Sequence, residues 1–306
     1  MKILIISKQD YTNLGYVLSQ ALQKIGIEAI ATRQRKEYFG YPRQGKKLRN
    51  PIYLKSYAEE ADVIIFMHGQ YRDTGIDLGK KKVLVWHTGS GYRQKSRKLN
   101  ALFNPIVDVS LCMSEFLGLG AKNERCLNGL VDTDFLQPVY KRKSKKVIIA
   151  HYPSSSKGVE VIEEAIRYLD KDLFIFRYDP KTVDWDIHLK RMSECDIYIS
   201  SVMEKQISRK GQEWVFGMYG IAALEAAALG KLSVCRLTFQ DDCTDFPLGL
   251  HIANNSKELA HKLEYFLSLP GKELLKLKKQ SRDWVVNCHS GEVVARRLLK
   301  IIEEIP

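Results

Sequence analysis

The chain alternates two apolar rhythms from its first residues, and this alternation limits its fold more than any other feature. Lys2–Ser7 is a continuous apolar run, as expected of a strand covered on both faces. Leu14, Val17, Leu18, Ala21, Leu22 and Ile25 then recur at helical spacing, Gly26 ends the helix, and Glu28–Ala31 is a second short strand. Further apolar runs at Val63–Met67, Val83–Trp86, Val107–Met113 and Arg125–Leu127 are separated by helical patterns around 53–60, 95–102 and 114–119. Pro138 and the run Lys141-Arg-Lys-Ser-Lys-Lys146 break the series. A second series follows: strands at Val147–Ala150, Leu173–Phe176, Ile197–Ser200, Leu232–Cys235 and Leu250–Ala253, with helices at Val159–Leu169, 185–193 and Ile221–Leu229. Helical patterns at 256–268, 271–285 and 290–304 close the chain. The expected class is α/β, with two facing, Rossmann-like, doubly wound domains at 1–140 and 147–288, a basic linker at 141–146, and a closing helix at 289–306.

Length and composition agree. A chain of 306 residues, 45% hydrophobic and 27% charged, is globular rather than disordered and long enough for two domains. The opening apolar run is too short for a signal segment, and no stretch reaches about 18 apolar residues. A cytoplasmic location is expected, with contact at a membrane surface as an extension of it. The six cysteines form no C-x-x-C pair and no zinc spacing, and they read as reduced, buried thiols. The net charge of +12 is uneven: +8 over residues 1–140, +5 in the linker and −1 over 147–306. A basic first half suits an anionic partner; the alternative is solubility alone.

Two segments carry chemistry. Tyr152-Pro-Ser-Ser-Ser156-Lys157-Gly158 lies between a strand and a helix. Its small residues, a helix N-terminus and one cation suit a diphosphate, although the P-loop spacing is absent and Ser156 is equally an ordinary helix cap. In Gly217-Met-Tyr219-Gly220-Ile221-Ala-Ala-Leu-Glu225-Ala-Ala-Ala-Leu-Gly230, glycines open a small-residue helix that carries a carboxylate in its first turns. Glu225 there could accept two hydroxyl hydrogen bonds from a ribose diol; the alternative puts it on a solvated face.

Together these segments resemble the GT-B glycosyltransferases of retaining family 4 (group 1). Asn128-Gly129-Leu-Val-Asp132-Thr-Asp134-Phe-Leu-Gln-Pro138 is similar to that family's interdomain segment, and Trp86-His87-Thr-Gly89-Ser90-Gly-Tyr-Arg93 to its histidine loop. The resemblance implies a nucleotide-sugar donor, UDP- or GDP-linked, with no separate cofactor and no metal. It implies Ser156, Lys157 and Gly158 at the diphosphate, Glu225 on the ribose, backbone amides of Gly220 and Ile221 beside Tyr219 on the phosphates, and His87 near the transferred sugar. Gly15 would approach the phosphates from the first domain, and the closing helix would cross back onto that domain. Transfer with retention, by front-side attack, follows from the same likeness. Two positions depart from the pattern. Gly217 stands where the family has its first signature glutamate, for which Gln212 or Glu213 could substitute. Tyr152 stands where an arginine is usual, for which Arg209 or Lys210 could compensate.

The acceptor is expected on the first domain, where Arg33, Arg35, Lys36, Tyr38, Tyr41, Arg43, Lys46, Lys47 and Arg49 mix cations with aromatics. Anionic lipid headgroups, a glycan, or nucleic acid (as in a phage-type DNA-modifying sugar transferase) all suit that mixture, and a mobile solvated loop is the bland alternative. A binding protein that kept the fold and lost turnover is the competing class. A dehydrogenase is a third option, since Rossmann-like sheets are shared, but Ser7-Lys-Gln-Asp-Tyr-Thr-Asn-Leu-Gly15 counts against it by offering no G-x-G-x-x-G after the first strand.

Overall fold

The computed structural model describes the chain except residues 37–38, 49–50, 68–74, 141–143, 154–157, 204, 208–212, 216 and 240–244, and gives only the backbone at 51, 90, 205–207 and 213–215. The chain divides into two compact units, Met1–Leu130 with Gly291–Pro306, and Val131–Ser290.

In the first unit the chain runs β1 (Lys2–Ser7), α1 (Leu14–Lys24), β2 (Glu28–Arg33), β3 (Lys46–Lys47), α2 (Pro51–Glu60), β4 (Val63–Met67), β5 (Lys82–His87), α3 (Gly89–Phe103), β6 (Val109–Cys112) and β7 (Glu124–Cys126). The sheet order is β3-β2-β1-β4-β5-β6-β7, with every neighbouring pair parallel. All five residues of β4 are buried, as an apolar run flanked by helices requires. Leu4, Ile64, Phe66, Val85 and Phe103 form the core of one face. Each such side chain contributes roughly 1.5–3 kcal/mol by leaving water.

The second unit contains β8 (Val147–His151), α4 (Val159–Arg167), β9 (Phe174–Tyr178), α5 (Trp185–Ser193), β10 (Ile197–Ile199), β11 (Lys205–Ile207), β12 (Glu213–Val215), α6 (Ile221–Ala228), β13 (Leu232–Cys235), β14 (His251–Ile252), α7 (Ser256–Ser268) and α8 (Gly271–His289). Its main sheet is parallel in the order β14-β13-β10-β8-β9, packed around Ile149, Ile162, Ile197, Val234 and Leu263. β11 and β12 form a separate antiparallel pair that the sequence patterns do not announce. At the start of β10, Asp196 accepts the Ile148 N–H at 3.0 Å and pairs with Lys278 at 2.6 Å, both side chains almost wholly buried.

The closing helix α9 (Gly291–Glu303) returns to the first unit, as expected. A Cβ on Gly291 would lie 2.9 Å from the Ala21 Cβ, so the two helices meet closely at that glycine. Lys82 Nζ donates to the carbonyls of Ile302 and Ile305 at 3.1 and 2.6 Å, tying that stretch to the start of β5. Cys112, Cys126, Cys195 and Cys235 are in no disulfide, but Cys288 is disulfide-bonded. That corrects the expectation of six reduced cysteines; the sequence around Cys288 carries no spacing signal of a bridge.

Candidate functional site

A parallel, doubly wound sheet binds ligands beyond the carboxyl ends of its strands, where the strand order reverses. In the second unit that point lies between β8 and β10. The two strands end together: His151 Nδ1 lies 2.8 Å from the Ile199 carbonyl. Ser156 and Lys157 lie outside the described residues. Gly158 caps α4 with φ +85°, and a Cβ there would meet the Met203 nitrogen at 2.9 Å and its Cα at 3.1 Å. A left-handed backbone and this close approach both demand glycine. The chain leaving β8 therefore rests on the chain leaving β10, and the residue after Lys157 is pinned at the switch point.

α6 packs on β10 and runs into β13, so its N-terminus lies at the carboxyl-end side of the same sheet. Gly220 is its cap, extended at φ −91° and ψ 172°, with open space where a side chain would project. The first amides of a helix lack partners within it, and the helix dipole favours an anion there. Ile221 opens the helix. One helical turn further on, Glu225 is 5% exposed, which excludes the solvated-face alternative. Its Oε1 accepts the indole N–H of Trp185, the first residue of α5, at 2.6 Å. Trp185 in turn stacks on Phe135, with ring centres 5.4 Å apart. Burial, and after it the Glu225 charge, pushes the Tyr198 phenol far above its ordinary pKa. Sequence reading missed Trp185, an aromatic at a helix start that carries no motif, and placed Phe135 only as part of the interdomain segment.

Gly217 has a steric explanation. A Cβ on it would lie 1.8 Å from Thr238 Oγ1 and 3.0 Å from two ring carbons of Phe239, and its carbonyl accepts the N–H groups of both residues. The space a glutamate would need is filled. Arg209, Lys210 and Gln212 lie outside the described residues, and Glu213 is described only as backbone at the start of β12. Tyr219 is a core residue whose side chain is 1% exposed. Its hydroxyl lies 2.9 Å from His289 Nε2, and its ring stands edge-on to Trp284. Tyr152, in the usual arginine position, meets two arginines from other elements. Arg177 of β9 hydrogen-bonds it, and the Arg191 guanidinium of α5 sits 5.8 Å from its ring centre.

In the first unit, Gly15 packs on Asp10: a Cβ would meet Asp10 Oδ2 at 3.0 Å. That carboxylate accepts the Tyr16 N–H at 3.1 Å, so an acidic side chain of the protein already occupies the first turn of α1. His87, the last residue of β5, has no exposed surface. It stacks on Tyr92 at 3.9 Å and meets the edge of Phe103 at 5.8 Å, and neither ring nitrogen has a hydrogen-bond partner. Burial pushes its pKa down to about 3, so it is neutral at ordinary pH. The basic stretch wraps the carboxyl ends of β1 and β2. Lys8 O accepts the N–H groups of Gln34 and Arg35, and Asn13 Nδ2 donates to Arg43 O at 2.8 Å. Arg33 Nε donates to Gly45 O at 3.0 Å, and Lys46 reaches the Tyr57 hydroxyl across its ring. Tyr41 is buried, whereas Arg35, Lys36, Arg43, Lys46 and Lys47 are exposed. Tyr38 and Arg49 lie outside the described residues.

Among the described residues there is no cluster of three or more metal-ligating side chains, and no helix long and apolar enough to cross a membrane. No known sequence family and no curated protein matches the chain. Solved structures do. An α-glucosyltransferase in complex with UDP and a 13-mer DNA containing an HMU base is similar with a TM-score of 0.69 at 12% identity, over 99% of this chain and all of the other. HepE of Anabaena, in complex with UDP-glucose, gives 0.65 at 10% identity, over 99% of this chain and 100% of that one. A glycosyltransferase of Rickettsia africae gives 0.61 at 14% identity, over 99% and 98%. The chain has the GT-B glycosyltransferase fold.

Proposed function

We propose that the protein is a glycosyltransferase that moves a sugar from a UDP-linked donor, held by the second unit, to an anionic acceptor, held by the basic face of the first. The observation that carries this reading is the convergence at the β8–β10 switch point: Gly158 pressed on Met203, the open N-terminus of α6 at Gly220, and Glu225 held by Trp185. The likeness to UDP-bound glycosyltransferases supports it.

In this reading Glu225 accepts hydrogen bonds from the donor ribose, and Lys157 with the first amides of α6 faces the diphosphate. As the bond from the anomeric carbon to the diphosphate breaks, negative charge builds on the leaving oxygens. A fixed cation and a fixed helix terminus stabilise that charge without reorganising. The acceptor hydroxyl bonds to the anomeric carbon on the face the diphosphate leaves, its proton passes to a departing phosphate oxygen, and configuration is retained. Exposed Arg35, Lys36, Arg43, Lys46 and Lys47 hold the acceptor by its charge.

Titration calorimetry with UDP, GDP and ADP tests the donor site. UDP should bind, and Lys157→Ala and Glu225→Ala should each weaken it by about tenfold or more. If no nucleotide binds the wild type, the reading fails. Turnover of UDP-glucose with DNA, with a glycan, or with vesicles containing anionic lipid then identifies the acceptor. A nucleotide-binding protein without turnover is the second reading, favoured by the crowding at Gly217. UDP affinity combined with no transfer and no donor hydrolysis would decide for it.

A further inference from the structure

On that reading of Glu225, we infer that Trp185 is a positioning residue for the ribose-binding carboxylate, and that it couples the carboxylate to the segment entering the second unit. The indole N–H donates to Glu225 Oε1 at 2.6 Å, a short bond to a charged acceptor. It holds one carboxylate oxygen against rotation about the last single bond of the side chain. Trp185 is itself held, because one ring contact stacks it on Phe135.

The backbone around Phe135 is then tied back to α6. Arg282 of α8 donates to the carbonyls of Thr133 at 2.7 Å, Leu136 at 2.5 Å and Ala228 at 2.6 Å. Ala228 is the last residue of α6, the helix that carries Glu225. The contacts close a ring: Glu225, Trp185, Phe135, the 133–136 backbone, Arg282, Ala228, and along α6 to Glu225 again. Each link lies within the second unit. A carboxylate in such a ring is oriented before ligand arrives, and preorganisation improves affinity by sparing the ordering cost on binding.

The test compares UDP with 2′,3′-dideoxy-UDP. The wild type should prefer the ribose form by tenfold or more, about the value of hydrogen bonds to a charged acceptor. Trp185→Phe keeps an aromatic ring to stack on Phe135 and removes the donor. It should weaken UDP binding about tenfold, leave dideoxy-UDP nearly unchanged, and so collapse the preference. A role in packing alone would weaken both ligands equally. Phe135→Leu, at a residue 45% exposed, avoids a folding defect and should lower the preference in the same direction by a smaller factor. If the wild type discriminates and both variants discriminate equally well, the inference is overturned. If UDP fails to bind the wild type at all, the donor reading falls instead. A wild type that binds both nucleotides alike removes the ribose role of Glu225 and with it the inference.

Discussion

Replacing Gly217 by alanine isolates the steric reason for the missing glutamate. Gly217 does not have a positive φ, so an alanine backbone is allowed there and only space opposes it. The new Cβ would lie 1.8 Å from Thr238 Oγ1, about half a van der Waals contact, so the hydroxyl must move. Rotating Thr238 can turn its hydrogen toward the methyl group, but Phe239 still crowds it at 3.0 Å. Overpacking of this kind costs about 1–3 kcal/mol. In a domain of this size that lowers the melting temperature by roughly 4–8 °C for a mid-range cost of about 2 kcal/mol. The assay is thermal unfolding of wild type, Gly217→Ala, Thr238→Ala and the double variant. Removing the Thr238 hydroxyl should recover about half or more of the loss in the alanine background, a favourable coupling by double-mutant cycle. Gly217→Glu should destabilise further and should not raise transferase activity. An alanine variant melting within about 1 °C of wild type, with no coupling to Thr238, would refute the argument.

Three further outcomes are expected. Gly158→Ala combines a φ of +85° with a backbone contact at 2.9 Å, so it should lose about 1–3 kcal/mol of stability in urea and most UDP affinity, read by calorimetry. Lys278→Met leaves Asp196 buried at 2.6 Å from a lost partner and should cost about 3–5 kcal/mol in the same urea experiment, with Asp196→Asn in addition recovering part of it. His87 has a folded pKa of about 3 against an ordinary 6.5, so the unfolded chain binds the extra proton between these values. Its stabilising contribution is present above pH 6.5 and is lost as pH falls toward 3, with a slope of about 1.4 kcal/mol per pH unit; His87→Phe should flatten that part of the stability curve.

What could be read from the residues depended on which demand left a mark on residue type. Continuous apolar runs such as Val63–Met67 marked the parallel strands, because a strand covered on both faces tolerates little else. Pairs as short as β3 and β14 are too brief for periodicity to register. The helix expected at 95–102 begins at Gly89, with a non-helical Lys95 inside it, because glycines 89 and 91 hide its first turn from any propensity argument. At the candidate site, Gly158 was legible as a glycine position, since a backbone approached as closely as Met203 approaches it must shed its side chain. The absence at Gly217 was legible too, but its cause lies twenty-one residues later in Thr238. Trp185 was illegible: its effect comes from a contact with Glu225, forty positions away, that no local pattern encodes.

The charge distribution separates the two halves of the proposed reaction. A diphosphate is a compact anion, and one helix terminus, a few amides and one lysine can meet it locally. The half proposed to bind it has a net charge of only −1 over residues 147–306, and needs no more. A charge spread along a polymer or a lipid surface cannot be met at one point. It calls for a field, and residues 1–140 carry +8. The exposed cations lie where β1 and β2 end, on a stretch whose backbone is tied down by Lys8 and Asn13 and by the bond from Arg33 to Gly45. Acceptor binding should therefore weaken steeply with salt while UDP binding changes little, because displaced counterions belong to the extended anion and the diphosphate contacts are short-range. Equal salt dependence for both ligands would mean that the positive field serves solubility and that the acceptor is recognised by something other than its charge.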